Sequence, residues 1–270
     1  MPSVYLRDSS AVATEPVISG SAGRPHTIMG WVKLVGGGGR ALNQVLGSFR
    51  ISGTDGESEG NVGYVPSGPG SSGTGRGTVV LGVTYWDIAT RATVQFPDVT
   101  AWYYAVLQIG SGSNGVANLK LFADDVGLTK VIDLRYSGYG FMTTPSRYFG
   151  ISGGSIDASY NSIGTKFNYV RTFVSGTFTD TECREQAISR TPVTHPSAVV
   201  WDAWSLTTTN FTGEVNGRIL SLVSASAADA PRVDPDQPFT FIRSDITTTI
   251  PASGSTTFIS EAGRNSFVIR

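Results

Sequence analysis

Short apolar segments recur along the 270 residues between turn-forming ones, and they alternate with period two rather than 3.6. From Thr27 to Leu34, the set Ile28, Gly30, Val32 and Leu34 alternates with Thr27, Met29, Trp31 and Lys33. One face of that strand is aliphatic and the other mixes polar groups with large side chains, which predicts a sandwich. Between Trp102 and Ile109 both faces are apolar, with Trp102, Tyr104 and Val106 alternating with Tyr103, Ala105, Leu107 and Ile109. Such a segment is expected at the centre of a sheet. Leu119, Leu121 and Ala123 against Asn118, Lys120 and Asp124 predict a half-exposed neighbour, and the glycine-rich stretch Gly110 to Gly115 turns the hairpin between them. Further strands are predicted over 45–51, 78–85, 131–135, 147–151, 167–174, 199–206 and 219–223.

One helix is expected, Asp180 to Ile188, short and peripheral. Thr179 or Asp180 would be its N-cap, and Glu182 in the first turn complements the positive helix end. Residues 53–77 are rich in glycine and contain Pro66 and Pro69, so they are read as a long mobile loop with too little apolar surface to offset ordering entropy. Pro231, Pro235 and Pro238 punctuate a polar stretch, after which Phe239 to Ile242 and Thr257 to Ile259 read as strands. This organisation predicts a sandwich over 1–231 and a carboxyl-terminal extension or arm over 232–270. So short an extension cannot build its own core; it pairs with the main sheet, swaps onto a neighbouring subunit, or docks on another protein.

Composition narrows the classes of function. Charged residues are 15% of the chain, and 33 glycines further favour strands and turns over helical surfaces. A net charge of −1 argues against a nucleic-acid partner, and no apolar run approaches the length of a membrane-spanning helix. Cys183 is the only cysteine, so there is no internal disulfide, and with His26 and His195 as the only histidines a thiolate or imidazole metal site is disfavoured. Met1 to Asp8 lack the basic region and apolar stretch of a secretory signal, and the expectation is a chain that begins with its fold.

Several phrases, in order, resemble the laminin-G-like, concanavalin A-like lectin/glucanase superfamily. His26-Thr27-Ile28-Met29-Gly30-Trp31-Val32-Lys33 is similar to its strand ending in Trp-Val-Lys, and Trp102-Tyr103-Tyr104-Ala105-Val106 to its Trp-Tyr-His-Val-Ala strand. Leu119-Lys120-Leu121-Phe122-Ala123-Asp124 resembles the strand after it, with Asp125 where a glycine is usual. Phe167-Asn168-Tyr169-Val170-Arg171 and Phe178-Thr179-Asp180-Thr181-Glu182 resemble the closing strand and the helix that follows, without that strand's usual acidic residue. Val199 to Leu206 resembles a Trp-Pro-Leu strand that opens many relatives, so the sandwich here would be closed by a permuted carboxyl segment. The resemblance implies an all-β, concanavalin A-like jelly-roll sandwich with one short helix and a carboxyl-terminal β extension. That fold hosts both glycan-binding modules and hydrolases, and function must be argued from the site.

Candidate chemistry is sparse. Gly110 to Gly115 satisfies G-x-G-x-x-G, but the following segment alternates like a strand, so it is a hairpin turn and not a phosphate cradle. Gly150 to Gly154 fits G-x-S-x-G, with Asp157 and His195 as formal partners, yet no helix follows it. Asp55, Glu57 and Glu59 would share one face if extended, as catalytic carboxylates do, but interspersed glycines deny them rigid spacing. They read as solvated loop charge. No cofactor is expected and the sequence holds no contiguous calcium loop, although the superfamily it resembles often carries calcium at its loop rim, for which Asp124, Asp125 and Asp157 are the candidate oxygen donors. Tyr136, Tyr139 and Phe141, spaced by Ser137, Gly138 and Gly140, place rings on a turn where a sugar could stack or a subunit could pack. The five tryptophans are expected to fill the sandwich.

These observations lead to an expectation of a non-catalytic virion-surface structural or attachment protein. Its lectin-like module would contact a cell-surface glycan or receptor through loops, with other virion proteins or its own copies as partners in a homo-oligomer, and no membrane insertion. Lysis would release such a particle without an export signal. The alternatives are a stand-alone extracellular carbohydrate-binding lectin and a carbohydrate-active hydrolase.

Overall fold

The computed structural model describes residues 3–6, 12–14, 24–35, 46–53, 59–66, 77–84, 90–95, 101–110, 115–139, 147–152, 164–174, 177–191, 193–206, 210–215, 219–223, 232–240, 256–259 and 266–269. Its strands form an all-β jelly-roll sandwich of two antiparallel sheets. Sheet A runs β10 (Lys130–Tyr139), β9 (Gly115–Ala123), β8 (Tyr103–Ile109), β3 (His26–Val35), β12 (Gly164–Val174). Past β12 the edge is shared. There β1 (Ser3–Leu6), itself paired with β16 (Arg232–Asp234), takes one end of β12, and β13 (Val200–Leu206) takes the other.

Sheet B continues from β13 through β14 (Asn210–Gly213), β15 (Ile219–Val223), β2 (Val12–Thr14), β11 (Arg147–Ser152) and β4 (Leu46–Gly53) to β5 (Glu59–Pro66), β6 (Gly77–Thr84) and β7 (Thr90–Gln95). A separate two-stranded sheet pairs β17 (Thr256–Ile259) with β18 (Ser266–Ile269). The helix α1 (Asp180–Ile188) follows β12.

Register explains what each sheet face buries. Ile28 of β3, Leu107 of β8 and Leu119 of β9 stand in one cross-strand row, and all are fully buried. This row faces sheet B, as shown by His26 meeting Phe149 of β11 at 5.6 Å between rings and Phe167 of β12 meeting Phe49 of β4 at 6.0 Å. The alternate row, Met29, Val106, Lys120 and Asp133, faces the opposite way. A second outward row holds Trp31, Tyr104, Phe122 and Lys130. Met29, Trp31, Tyr104, Val106 and Phe122 cluster there with Phe178, Cys183 and Ala187. The helix therefore covers the outer face of sheet A and is part of the core, contrary to the peripheral position expected. Its own sequence is too polar to predict this; the apolar demand comes from the sheet beneath it.

β13 carries the chain from one sheet to the other, since Val200 to Ala203 pair with β12 and Trp204 to Leu206 with β14. At this corner the buried Asp202 carboxylate accepts the N–H groups of Ala203 (3.1 Å) and Val215 (2.9 Å), and Trp204 Nε1 donates to Thr172 Oγ1 at 3.1 Å. The segment expected to close the sandwich from the carboxyl side thus joins the two sheets.

Several expectations are corrected. Residues 53–77 contain β5, which pairs with β4 on one side and β6 on the other. Ladder bonds from two neighbours satisfy its backbone where glycine-rich composition gave no local signal. Tyr136 and Tyr139 lie on β10, opposite Ala117 and Gly115, and not on a turn, although a register shift falls between Ser137 and Tyr139. Asn118 and Lys120 are 7% and 5% exposed, so β9 is not half-exposed. Phe239 and Thr240 are helical instead of extended. Trp31 and Trp102 are buried as expected, but beneath the helix side of sheet A, while Trp86 lies outside the described residues.

β12 contains a bulge between Asn168 and Arg171, with Tyr169 at φ 49°. Opposite it, a Cβ on Gly30 would approach the Val170 Cα to 2.9 Å, so the glycine admits the bulged backbone. Gly30→Ala is expected to destabilise the fold by about 1–3 kcal/mol through overpacking. A urea midpoint equal to the parent's would refute the tight packing of Gly30 on the bulge.

Candidate functional site

The outer face of sheet A concentrates the charge of the described residues, and the helix termini organise it. Thr179 caps α1 in a full capping box: its side chain accepts from the Glu182 N–H, while the Glu182 carboxylate accepts from the Thr179 N–H at 2.7 Å. These bonds, led by the backbone one, hold the Glu182 carboxyl below its usual range. His195 closes the same end, with its ring 4.3 Å from that of Phe178 and its Nε2 3.5 Å from Glu182.

Asp180 then bridges the first helical turn to the sheet. Its carboxylate meets Lys120 Nζ at 2.8 Å and Lys130 Nζ at 2.7 Å, and Lys130 also meets Asp133 at 2.7 Å. Burial would push the Asp180 carboxyl up, but hydrogen bonds from Lys120 and Lys130 more than reverse this and hold it down to about 2. Lys120 Nζ also donates to the Phe178 carbonyl at 3.2 Å. A lysine buried under a helix is thereby satisfied by the residues that start that helix.

At the other helix end no basic residue occupies the last turn. Arg171 reaches up from β12 instead. Its Nη1 donates to the Gln186 carbonyl and to Gln186 Oε1, both at 2.6 Å, and its Nη2 donates to the carbonyls of Ser189 (2.5 Å) and Thr191 (3.0 Å). A cation on the unsatisfied carbonyls of a helix C-terminus complements the helix dipole. Trp31 Nε1 adds a bond to the Ala187 carbonyl at 3.0 Å. Cys183 lies between these ends, fully buried, and burial pushes its thiol up to about 12, so it is inert at neutral pH.

Residues 232–240, at the start of the expected extension, first extend sheet A and then pass over part of this face. β16 pairs with β1. Asp236 then accepts from Lys33 Nζ at 2.8 Å, Lys166 Nζ at 2.9 Å and Trp102 Nε1 at 3.3 Å, and Asp234 meets Lys166 at 3.0 Å. Sequence reasoning missed this group. Lys33 ends the Trp-Val-Lys phrase on the polar face of its strand, which was the one available signal.

The predicted site residues divide as follows. Asp124 accepts from the Phe239 N–H, the Thr240 N–H (2.9 Å) and the Thr240 hydroxyl (2.8 Å), anchoring the segment just described. Asp125 accepts from the N–H groups of Gly127 (3.0 Å) and Thr129 (2.9 Å). Burial opposes ionisation there, but bonds from Thr129, Gly127 and Leu128 outweigh it and lower the carboxyl. Both carboxylates thus serve as backbone acceptors, and neighbouring positions in sequence use them on different segments. Asp157, the third calcium candidate, lies outside the described residues, as do Phe141, Asp55 and Glu57. Among the described residues no group of three or more His, Cys, Asp or Glu side chains gathers. Glu59 opens β5 opposite Ser52 and Thr84. Gly110 and Val116 join the ends of the hairpin through an N–H···O bond of 2.9 Å, so the G-x-G-x-x-G stretch is a hairpin connection. Gly150 to Ser152 belong to β11.

No protein-family model matches the chain, and no curated protein matches it. Solved structures with a similar course of strands include the marine PL7 alginate lyase AlyA1 from Zobellia galactanivorans, at 14% identity and a TM-score of 0.38 over 60% of this chain. This chain spans 65% of that lyase. The CBM2 module of the evolved Dit of Lactobacillus casei BL23 phage J-1 matches at 10% identity and a TM-score of 0.38, over 62% of this chain and 71% of that one. A botulinum neurotoxin type C structure, from a study of its interaction with two ganglioside molecules, matches at 5% identity and a TM-score of 0.36, over 68% and 47%. At these scores the likenesses carry no argument about ligand or activity.

The ion network sets an acid limit for the fold. Asp180 ionises more readily in the folded chain than at its unfolded value of about 3.9. Its contribution is therefore complete above about pH 4 and is lost as pH falls toward 2. In Asp180→Asn, stability should fall less steeply over that window, measured as urea midpoints across a pH series; identical slopes in parent and variant would remove Asp180 from the acid transition.

Proposed function

We propose that this chain is a non-catalytic attachment or structural module of a virion surface. Its laminin-G-like, concanavalin A-like sandwich contacts a glycan or receptor through strand edges and connecting segments, and its carboxyl-terminal segment joins it to a larger assembly. The observation that carries this reading is that sheet A is covered on both faces, by sheet B on one side and by α1 with residues 234–240 on the other. A sheet closed in this way offers a partner its margins and the loops between strands. Tyr136 and Tyr139 stand on such a margin, on strand β10 at the end of the sheet. Aromatic rings at an edge suit stacking on sugar rings or packing in a subunit contact. The composition supports the setting as well: a single buried cysteine leaves the fold independent of disulfides, so it forms equally well in a reducing cytoplasm where a particle assembles.

A glycan array with the parent, Tyr136→Ala and Tyr139→Ala tests the contact. Each substitution is expected to weaken the retained glycan by about tenfold, near 1.4 kcal/mol. Polysaccharide breakdown that is lost in Glu57→Gln would overturn the non-catalytic reading. A chain ending at residue 240 keeps the segment that packs on sheet A. It is expected to unfold at nearly the parent temperature yet fail to enter particles, and full incorporation would remove the anchoring role of residues 241–270.

A further inference from the structure

Lys33 of β3 and Lys166 of β12 are direct register partners on the outer face of sheet A. Like charges opposite one another on adjacent strands repel, so this pair requires an anion between its ammonium groups. Asp236 supplies it. One carboxylate oxygen accepts from both lysines, at 2.8 and 2.9 Å, and the other accepts the indole N–H of Trp102 at 3.3 Å. The Lys33 ammonium also lies 5.9 Å from the centre of the Trp102 ring. Two ammoniums and an indole N–H converging on one carboxylate form charge-assisted recognition of that group, and here the recognised group belongs to the same chain. The Asp236 side chain is 29% exposed while Trp102 is 5% exposed, so a competing carboxylate can approach from solvent onto a site that is already walled.

We propose that Lys33, Lys166 and Trp102 form a binding site for the carboxylate of an acidic sugar, a uronic acid residue of a glycan, and that Asp236 occupies it in the ligand's place. The choice of a sugar rests on the glycan-contact reading above. It is also favoured by Asp234, whose carboxylate lies 3.0 Å from Lys166. Ring hydroxyls beside the sugar carboxylate can donate to that acceptor, whereas the ionised side chains of a glutamate-rich peptide carry no donor. The lysines hold the Asp236 carboxyl below its usual range against the opposing effect of burial, so the occupant is charged at neutral pH. A tethered occupant competes at an effective concentration on the order of millimolar. Ligand binding to the parent is correspondingly weakened, and removing the Asp236 charge relieves it.

The test is an NMR titration of the full chain at low salt, following the Trp102 indole N–H. The probes are an oligogalacturonate, a neutral oligosaccharide of the same length and a glutamate-rich peptide. Asp236→Asn is expected to bind the oligogalacturonate at least about tenfold more tightly than the parent with a shifted indole resonance, and adding Lys166→Met should abolish binding. The neutral sugar should leave the resonance in place. An unmoved indole resonance in folded Asp236→Asn overturns the site, as does a response to the peptide without one to the sugar. Should Asp236→Asn fail to fold, the parent decides, because a high millimolar excess of oligogalacturonate must shift its indole resonance and no shift overturns the proposal. Glycan binding that depends on Tyr136 or Tyr139 but is indifferent to Lys166→Met would remove this site and leave the edge-contact reading standing.

Discussion

Sheet A must be buried twice. Its inward rows, such as Ile28, Leu107 and Leu119, meet sheet B, and its outward rows, such as Met29, Trp31, Tyr104 and Val106, are as apolar and would be left to water. A sheet with two apolar faces is stable only with a layer on each. The helix following β12 supplies that second layer, and much of the remaining structure arranges itself around getting one short, polar helix to stay on an apolar strip.

Apolar contact alone would let such a helix slide or turn. The buried charges fix it in place. Lys120 and Lys130 engage Asp180 at the first turn, and Arg171 engages the last carbonyls. Taking these ions out of water opposes folding, and a well-packed apolar substitute is often as stable. Their effect is therefore better read as orientation: the cations rise from the sheet at positions matching the helix's two ends, and they suit its dipole only one way round. The same logic extends beyond the helix. Asp124 on the sheet side takes the N–H groups of Phe239 and Thr240, while Asp236 on the covering side takes Lys33 and Lys166. Donors and acceptors alternate between the layers, so the cover is held from both sides.

This arrangement also explains what could be read in advance. Trp102 to Ile109 announced a central strand because burial on both faces leaves no polar alternation, and β8 indeed lies between β3 and β9. The helix was legible because capping is local, with Thr179 and Glu182 three residues apart. Its role was not, because Lys120 and Asn118 present the alternation of a solvent face and only a distant segment turns that face inward. β5 was hidden for a related reason: glycine-rich composition measures local propensity, while pairing with β4 and β6 comes from elsewhere in the chain. The Lys33–Lys166 pair follows from register across strands far apart in sequence. Asp124 and Asp125 look like one acidic cluster in sequence, yet each serves a different backbone segment.

A cover held by ion pairs has a property that an apolar cover lacks. Removing an apolar layer exposes a surface that binds little in particular, but removing Asp236 leaves Lys33 and the Trp102 indole N–H without their shared acceptor, beside a Lys166 that keeps Asp234. Such a site is specific before any ligand arrives, because the sheet register fixes the spacing of the lysines and the buried indole fixes the third donor. Because sheet A is covered on both faces, the contacts proposed above for it fall at its margins and at the places where charge holds the cover down. In both, selectivity comes from backbone register, since it sets which side chains stand beside one another at an edge and which like charges are forced to share a counterion.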